Sequence, residues 1–376
     1  MSSHKLRFES RAADGSIGLS LMRDQNIVGQ DKVQAGDFGD LDEICKKLNN
    51  DQNRSIAADM GADLFDRIFV TGGTLRNYWD SLDDDTRGLP LELVIEDAEL
   101  AAYPWELLRD ADDNMPAQLG GMIRRSQVPA LPRDLAEWPL RFLVILGTLD
   151  AKINGKVEFD NLRRDLLEVG RSVDVCCVEL PSSDEVRKVL KEYQPHVIHF
   201  IGHSEEGGLW IANKTNAWAW KTAVIKADMK NADCAPLLVF LNSCRSAVEP
   251  SKAVTRRASA SVQAAFARRA ACVIAMQADV QGERAMKFSR AFYRLALKPN
   301  GDPPDFMPIA EAVREARRAL TDDDQELDWA LPTLTFNTSE MDFSTRLGRR
   351  PKYARVLTCG EFEDTKLFAN CETGTS

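Results

Sequence analysis

From residue 141 onward the chain alternates short, near-continuously apolar runs with segments of helical period, and that alternation restricts it to a parallel sheet with helices on both faces. The runs are RFLVILG (141–147), VDVCCVEL (173–180), HVIHFIG (196–202), PLLVFLN (236–242), ACVIAMQ (271–277) and LPTLTFN (331–337). A strand covered on both faces reads this way because neither side of its pleat meets water. Between the runs Phe159, Leu162, Leu166 and Val169 share one helical face. So do Ala285, Phe288, Phe292 and Leu295, and again Ile309, Val313, Ala316 and Leu320. The expected fold class is α/β: a mostly parallel six-stranded sheet flanked by crossover helices.

The first 140 residues read differently. A polar, glycine-spotted stretch leads to a helical piece near 59–69 and then to the alternating strand LPLELVIED (89–97). AAYPWELLRD follows, with Pro104 suited to a helix's first position and Trp105, Leu107 and Leu108 as anchors toward the sheet. This predicts an N-terminal α+β subdomain packed on the main one. The expected division is an N-terminal regulatory region at 1–88, the main domain at 89–345 and a surface extension at 346–376. No period of 20 to 50 residues recurs, so a repeat architecture is not expected.

A net charge of −10 argues against a nucleic-acid face, which needs clustered Lys and Arg. Protein partners fit better. No window approaches the roughly 20 apolar residues of a membrane span, and the start MSSHKLRFES lacks the apolar core of a signal peptide. The expectation is a cytoplasmic protein that engages neither membrane nor nucleic acid.

The eight cysteines are Cys45, Cys176, Cys177, Cys234, Cys244, Cys272, Cys359 and Cys371. They form neither a CxxC pair nor a secreted-type framework. Cys176, Cys177 and Cys272 lie inside apolar runs and read as small hydrophobes. Cys244 differs because it follows its run.

Three of the four histidines fall within HVIHFIGH: His196, His199 and His203. Strand alternation points His199, Ile201 and His203 one way and His196 the other. Gly202 ends the run, so His203 emerges at the strand's carboxyl end, and Cys244 emerges at the corresponding end of the run PLLVFLN. Ligands of open parallel sheets bind outside those ends. A cysteine nucleophile needs a thiolate, and a neighbouring imidazole supplies it and then protonates the leaving amine. The backbone amides of Ser204 and Cys244 are the candidate oxyanion donors. His199 reads as a structural residue beneath the site and His196 as a surface or strand-start residue. A zinc site at the three histidines is disfavoured, since alternation sends one ligand to the wrong face and no CxxC supplies others.

The segments VIHFIGHS and LLVFLNSCRSA resemble the histidine and cysteine motifs of CHAT domains, caspase-like peptidases associated with tetratricopeptide repeats. YPWELLRD (103–110), VIAMQADV (273–280) and DWALPTLTF (328–336) are similar to further segments of that family in the same order, so the resemblance spans about 89–336. It implies a caspase-like fold and a Cys/His dyad at Cys244 and His203, with no metal and no organic cofactor. It also implies cleavage of protein substrates after activation by a partner or by processing, in a bacterial defence or signalling setting. Without repeats of its own, the chain is expected to recruit partners through its first 88 residues or a separate subunit.

Departures from the family pattern bear on specificity. Ser204 stands where relatives often carry Gly, and Ala278 with Asp279 replaces a loop that usually holds Trp. Arginine- and lysine-cleaving relatives in the wider clan often place Asp two residues before the cysteine; here that residue is Asn242. A P1 preference for Arg or Lys then rests on Asp279 as the pocket carboxylate, with Asn242 beside it. Asp279 equally suits a cap for the helix beginning near Gly282. Residues 248–269 hold Arg256 and Arg257 among small residues, and read either as a processing site or as a solvated loop entering a helix.

Two rivals differ in class. One is a catalytically silent CHAT-like scaffold that binds a partner protein. The other is a nucleotide-binding protein prompted by Gly147, but its loop GTLDAKING has neither GxGxxG nor GxxxxGK.

Overall fold

All six apolar runs form strands: five are interior members of the sheet, and the run at 173–180 forms its half-buried edge. The structure is a computed structural model that describes residues 2–38, 54–126, 139–150, 153–168, 173–205, 207–212, 217–243, 261–278, 282–297, 307–321 and 328–337. The predicted extension at 346–376 and Val169 lie outside the described residues.

In chain order the strands are β1 (His4–Phe8), β2 (Ser16–Arg23), β3 (Asn26–Gln34), β4 (Leu91–Ile95), β5 (Met122–Arg125), β6 (Leu140–Leu146), β7 (Val173–Glu179) and β8 (Val197–Ile201). They continue as β9 (His203–Glu205), β10 (Gly208–Ala212), β11 (Ala217–Lys221), β12 (Leu238–Asn242), β13 (Cys272–Met276) and β14 (Pro332–Phe336). The helices needed below are α1 (Arg54–Ile68), α2 (Thr74–Asp80), α3 (Gly155–Glu168), α4 (Ser183–Tyr193), α5 (Thr222–Asn231), α6 (Val262–Ala267), α7 (Gly282–Leu297) and α8 (Ile309–Arg318).

The main sheet runs β3-β2-β1-β4-β5-β14-β13-β12-β8-β6-β7. From β7 to β13 every pairing is parallel, and β14 closes that set antiparallel to β13. The six expected strands are therefore contiguous, and five more extend the sheet beyond β14. Of these, β5, β4 and β1 continue in parallel, and the β1-β2-β3 meander is antiparallel. The β1–β4 pairing joins residues on either side of the expected 88/89 division within one ladder.

Side chains of alternate strand residues feed two cores. On one face α3, α7 and α8 bring Phe159, Leu162, Phe288, Phe292, Val313 and Ala316 onto Val144, Phe240 and Ile274. On the other, α4, α5 and α6 bring Val189, Leu190, Ile225, Met229 and Phe266 onto Leu143, Ile198 and Val239. Burying a large apolar side chain contributes about 1.5–3 kcal/mol, so these two faces carry most of the fold's stability. The N-terminal strands have a third core, where Trp79, Phe65 and Phe69 of α1, α2 and their connection pack beside Trp105 and Leu108.

His196 sits just before β8 and is buried, which corrects the expectation of a surface position. Its Nδ1 accepts the Arg141 N–H at 3.2 Å, tying the start of β6 to β8. Burial, together with the nearby Arg141 charge, pushes this imidazole down to about 3. An unfolded chain protonates the same ring near pH 6.5, so the contribution is fully present above that pH and is lost as pH falls toward the folded value. Urea unfolding should show wild type losing about 2 kcal/mol between pH 6.5 and 5 from this residue. His196→Asn keeps an acceptor without the titration, and the difference between the two proteins should shrink by that amount; equal slopes would overturn the assignment.

Candidate active site

β7 follows β6 on one side and β8 lands on the other, so the strand order reverses between β6 and β8. Crevices in doubly wound sheets open at such a switch point, outside the carboxyl ends of the strands. Two glycines let the chains leave those ends close together. A Cβ on Gly147 would come within 2.8 Å of the Trp210 carbonyl and 2.7 Å of the Phe200 ring, and one on Gly202 would meet Phe200 and the Gly147 Cα. Gly147, the residue that prompted a nucleotide loop, is thus required by packing.

His203 opens β9, the first strand of a small separate sheet ordered β11-β10-β9, instead of extending β8. It pairs with Trp210, and Ser204 pairs with Leu209. The imidazole is 44% exposed, and its Nε2 lies 3.7 Å from Asp150 Oδ2, itself 41% exposed. Asp150 is held by its own loop: its amide donates to Thr148 Oγ1 at 3.1 Å, and its carbonyl accepts from Ile153 and Asn154.

β12 lies directly beside β8, with Asn242 paired opposite Ile201. Asn242 and Ser243 are buried. The next residue is Cys244, which lies outside the described residues, as do Asp279, Arg256 and Arg257. Ala278, just before Asp279, is buried against Leu107, Ala330 and Leu331. Four other cysteines are within the described residues. Cys176, Cys234 and Cys272 are buried and Cys177 is half-buried. Burial pushes the Cys176 thiol up to about 12 and Cys177 up as well, so neither forms a thiolate near neutral pH.

Beneath the strand ends lies a buried polar network. Glu158 on α3 is fully buried and accepts three hydrogen bonds: His199 Nε2 at 3.2 Å, Ser289 Oγ at 3.0 Å and Asn242 Nδ2 at 2.6 Å. His199 Nδ1 is 2.9 Å from the Tyr293 hydroxyl. Burial holds Tyr293 well above the usual phenol value, so it stays protonated and donates to Nδ1; the other ring nitrogen then carries the proton given to Glu158. His199 also stacks on Phe240 with ring centroids 4.8 Å apart. His199 is thus a satisfied buried residue below the site. Asn242, expected beside a substrate pocket, has its amide committed to Glu158.

A second buried carboxylate supports the next strand end. Glu106, in the PWELL segment, accepts from Arg124 of β5 and from Gln277, which follows β13 and also donates to the Ala330 carbonyl at 2.7 Å. Among the described residues no group of three or more His, Cys, Asp or Glu side chains is arranged to hold a metal ion. No helix within them is long and apolar enough to cross a membrane.

The mostly parallel sheet flanked by helices on both faces, with its switch point between β6 and β8, is a caspase-like α/β fold. Residues 164–337 match the family model of the CHAT domain. The match includes His203, Asn242 and Cys244 and begins after Asp150 and Glu158. Separase from Saccharomyces cerevisiae, solved in a separase–securin complex, aligns at a TM-score of 0.54 and 12% identity over 89% of this chain. This chain spans 30% of the length of that separase chain. Two further structures align more loosely: the Arg-specific cysteine proteinase gingipain R (TM-score 0.46, 8% identity, 79% of this chain and 70% of that one) and caspase-1 from Spodoptera frugiperda (TM-score 0.38, 13% identity, 61% and 96%). No curated protein matches the sequence significantly.

The Asn242–Glu158 contact makes residue 242 sensitive to charge. In Asn242→Asp two carboxyl groups would share a buried hydrogen-bond distance, and one of them would have to keep its proton. That raised folded value leaves the variant near wild type around pH 4 and penalises it increasingly as pH rises. Unfolding at pH 7 should show a loss of about 3 kcal/mol or more, shrinking to under about 1 near pH 4. A pH-independent loss would mean that the two side chains do not share a proton.

Proposed function

We propose that this chain is a cysteine endopeptidase in which Cys244 is the nucleophile and His203 its general base and acid. The observation that carries the reading is the Ile201–Asn242 pairing: His203 and Cys244 each follow a member of one matched pair by two residues. Adjacent strands are about 4.8 Å apart and two residues reach at most about 7 Å, so both residues leave from neighbouring points at the same end of the sheet, which supports their acting on one substrate bond. In this reading His203 takes the thiol proton, the thiolate attacks the scissile carbonyl, and His203 returns the proton to the departing amine. Water then hydrolyses the thioester. Asp150 faces Nε2, which leaves Nδ1 for the thiol and favours the imidazolium that forms. The amides of Ser204 and Cys244 are the proposed oxyanion donors.

The substrate is a protein cut after Arg or Lys, with Asp279 as the pocket acid. Since the Asn242 amide is turned to Glu158, Asp279 carries that preference alone. Activation follows binding of a partner protein or cleavage at Arg256 or Arg257, and the defence setting rests on the family resemblance.

Alkylation of Cys244 by iodoacetamide, followed by mass spectrometry across pH, tests the dyad without requiring a substrate. Wild type should react with a midpoint clearly below the free-thiol value of about 8.5, His203→Ala should return it to that value, and Asp150→Asn should raise it by up to about one unit. A wild-type profile identical to that of His203→Ala would overturn the dyad and favour a scaffold. Equal cleavage of Arg, Asp and Leu reporter peptides would overturn the basic preference.

A further inference from the structure

Every segment that leads to the candidate dyad converges on one carboxylate. α3, which carries Glu158, starts at Gly155, directly after the loop that holds Asp150. His199 lies four residues before His203 on the β8 exit, and Asn242 lies two residues before Cys244 on the β12 exit. The third partner of Glu158, Ser289 of α7, leads to no site residue. We propose that Glu158 is the positioning residue of the active site, fixing the separation and orientation of the His203 and Cys244 strand exits through His199 and Asn242. This rests on the dyad reading above.

The physical case is that the network sits inside the apolar core formed by Phe240, Phe288 and Phe292, where a carboxylate is stable only with its hydrogen bonds made. Its three donors come from three different elements, so moving either strand exit breaks a bond that water cannot replace. The contact to Asn242, at 2.6 Å, is the shortest of the three. Helix α3 is itself fixed from a second direction, because buried Asp165 accepts from Arg290 and Arg294 of α7. Burial pushes Asp165 up, but those guanidinium bonds outweigh it and hold the carboxyl below its ordinary value. Glu158 is thus an anchor on a rigid base, and the strand exits hang from it.

The test compares Glu158→Gln, Ser289→Ala and the exchange Glu158→Gln with Asn242→Asp, each first shown to melt cooperatively. Glu158→Gln removes the carboxylate, so Asn242 keeps a bond to α3 only by turning its amide over, and the β12 exit loses its carboxylate acceptor. Its rate of Cys244 alkylation at pH 7 should fall roughly 10- to 100-fold and its pH midpoint should move up toward the free thiol. Ser289→Ala removes a donor from the same carboxylate without touching a site strand, and should lower the melting temperature while leaving the alkylation profile unchanged. In the exchange, the amide now on α3 donates to the carboxylate now at the end of β12, and the hydrogen bond is rebuilt with reversed polarity. Alkylation should then return to within about threefold of wild type, a margin set by the spread expected for coupled neighbours. The proposal is overturned if folded Glu158→Gln keeps the wild-type profile, if Ser289→Ala shifts it equally, or if the exchange recovers the melting temperature without the profile. If wild type itself shows no dependence on His203, the dyad reading fails and the role of Glu158 falls with it; a normal His203 effect with an unaffected Glu158→Gln removes only the positioning role.

Discussion

A carboxyl group inside a hydrocarbon core is tolerated only with its hydrogen bonds made, and the central part of this fold is arranged around one. Glu158 is fully buried, and its cost is offset by bonds from β8, β12 and α7. That requirement explains choices elsewhere. Residue 242 must donate a hydrogen bond, so it is Asn. Tyr293 must donate to His199 so that His199 can donate onward, and a phenylalanine there would leave Nδ1 without its partner. Gly155 lets α3 start close to β8, where an added Cβ would come within 3.2 Å of Ile201. The carboxylate thus ties together β8 and β12, the two strands whose ends lead to His203 and Cys244.

The N-terminal strands show a similar economy in a different place. β14 would be the edge of the six-stranded set, with a row of unpaired backbone groups beside the loop after β13. β5 occupies that edge, and β4, β1, β2 and β3 carry the sheet onward. The join is held by Glu106, Arg124 and Gln277, which connect the PWELL segment to the exit of β13. Arg317 lies close by, fully buried, and donates to the Pro332 carbonyl at 2.6 Å. Its desolvation brings it down to about 10, and Glu106 opposes that shift, so the buried acid offsets more than one guanidinium. Residues 104–108 are therefore part of the wall behind the site and not only an anchor for a separate subdomain.

What could be read from the sequence followed burial. β6, β8, β12, β13 and β14 stood out because strands inside a sheet covered on both faces must be apolar on both faces, and the edge strand β7 stood out because its run is also apolar. β3 did not, since NIVGQDKVQ is exposed at most positions, and β5, at four residues ending in two arginines, is too short to show a period. His203 was legible because a glycine and a strand end frame it, although its place in a second sheet was not. Asp150 was hidden in a loop whose residues suggest a turn and nothing more. Glu158 looked like any acid in the first turn of a helix, where carboxylates commonly stabilise the exposed amides. One signal was present: Glu158, Leu162 and Asp165 fall on a single face at helical spacing, and an acid on the apolar side of a helix needs a buried partner. The partners, 41, 84 and 131 residues away along the chain, could not be read from local pattern.

The site thus divides into two layers with different physics. The His203–Asp150 pair is more than a third exposed on both sides and 3.7 Å apart, so solvent and salt screen it and it contributes little to stability. It can adjust as a substrate arrives, because little is lost when it moves. The network below has no water to fall back on, and each of its bonds is made between elements that are also fixed by apolar packing. In the proposed dyad, the lower layer would set position and the upper layer protonation, and general acid–base chemistry at His203 would require a group that can still exchange protons with solvent. Had the same carboxylate been placed beside His203 at the exposed strand end, water would have competed for its bonds; in the core, its bonds to β8 and β12 have no such competitor.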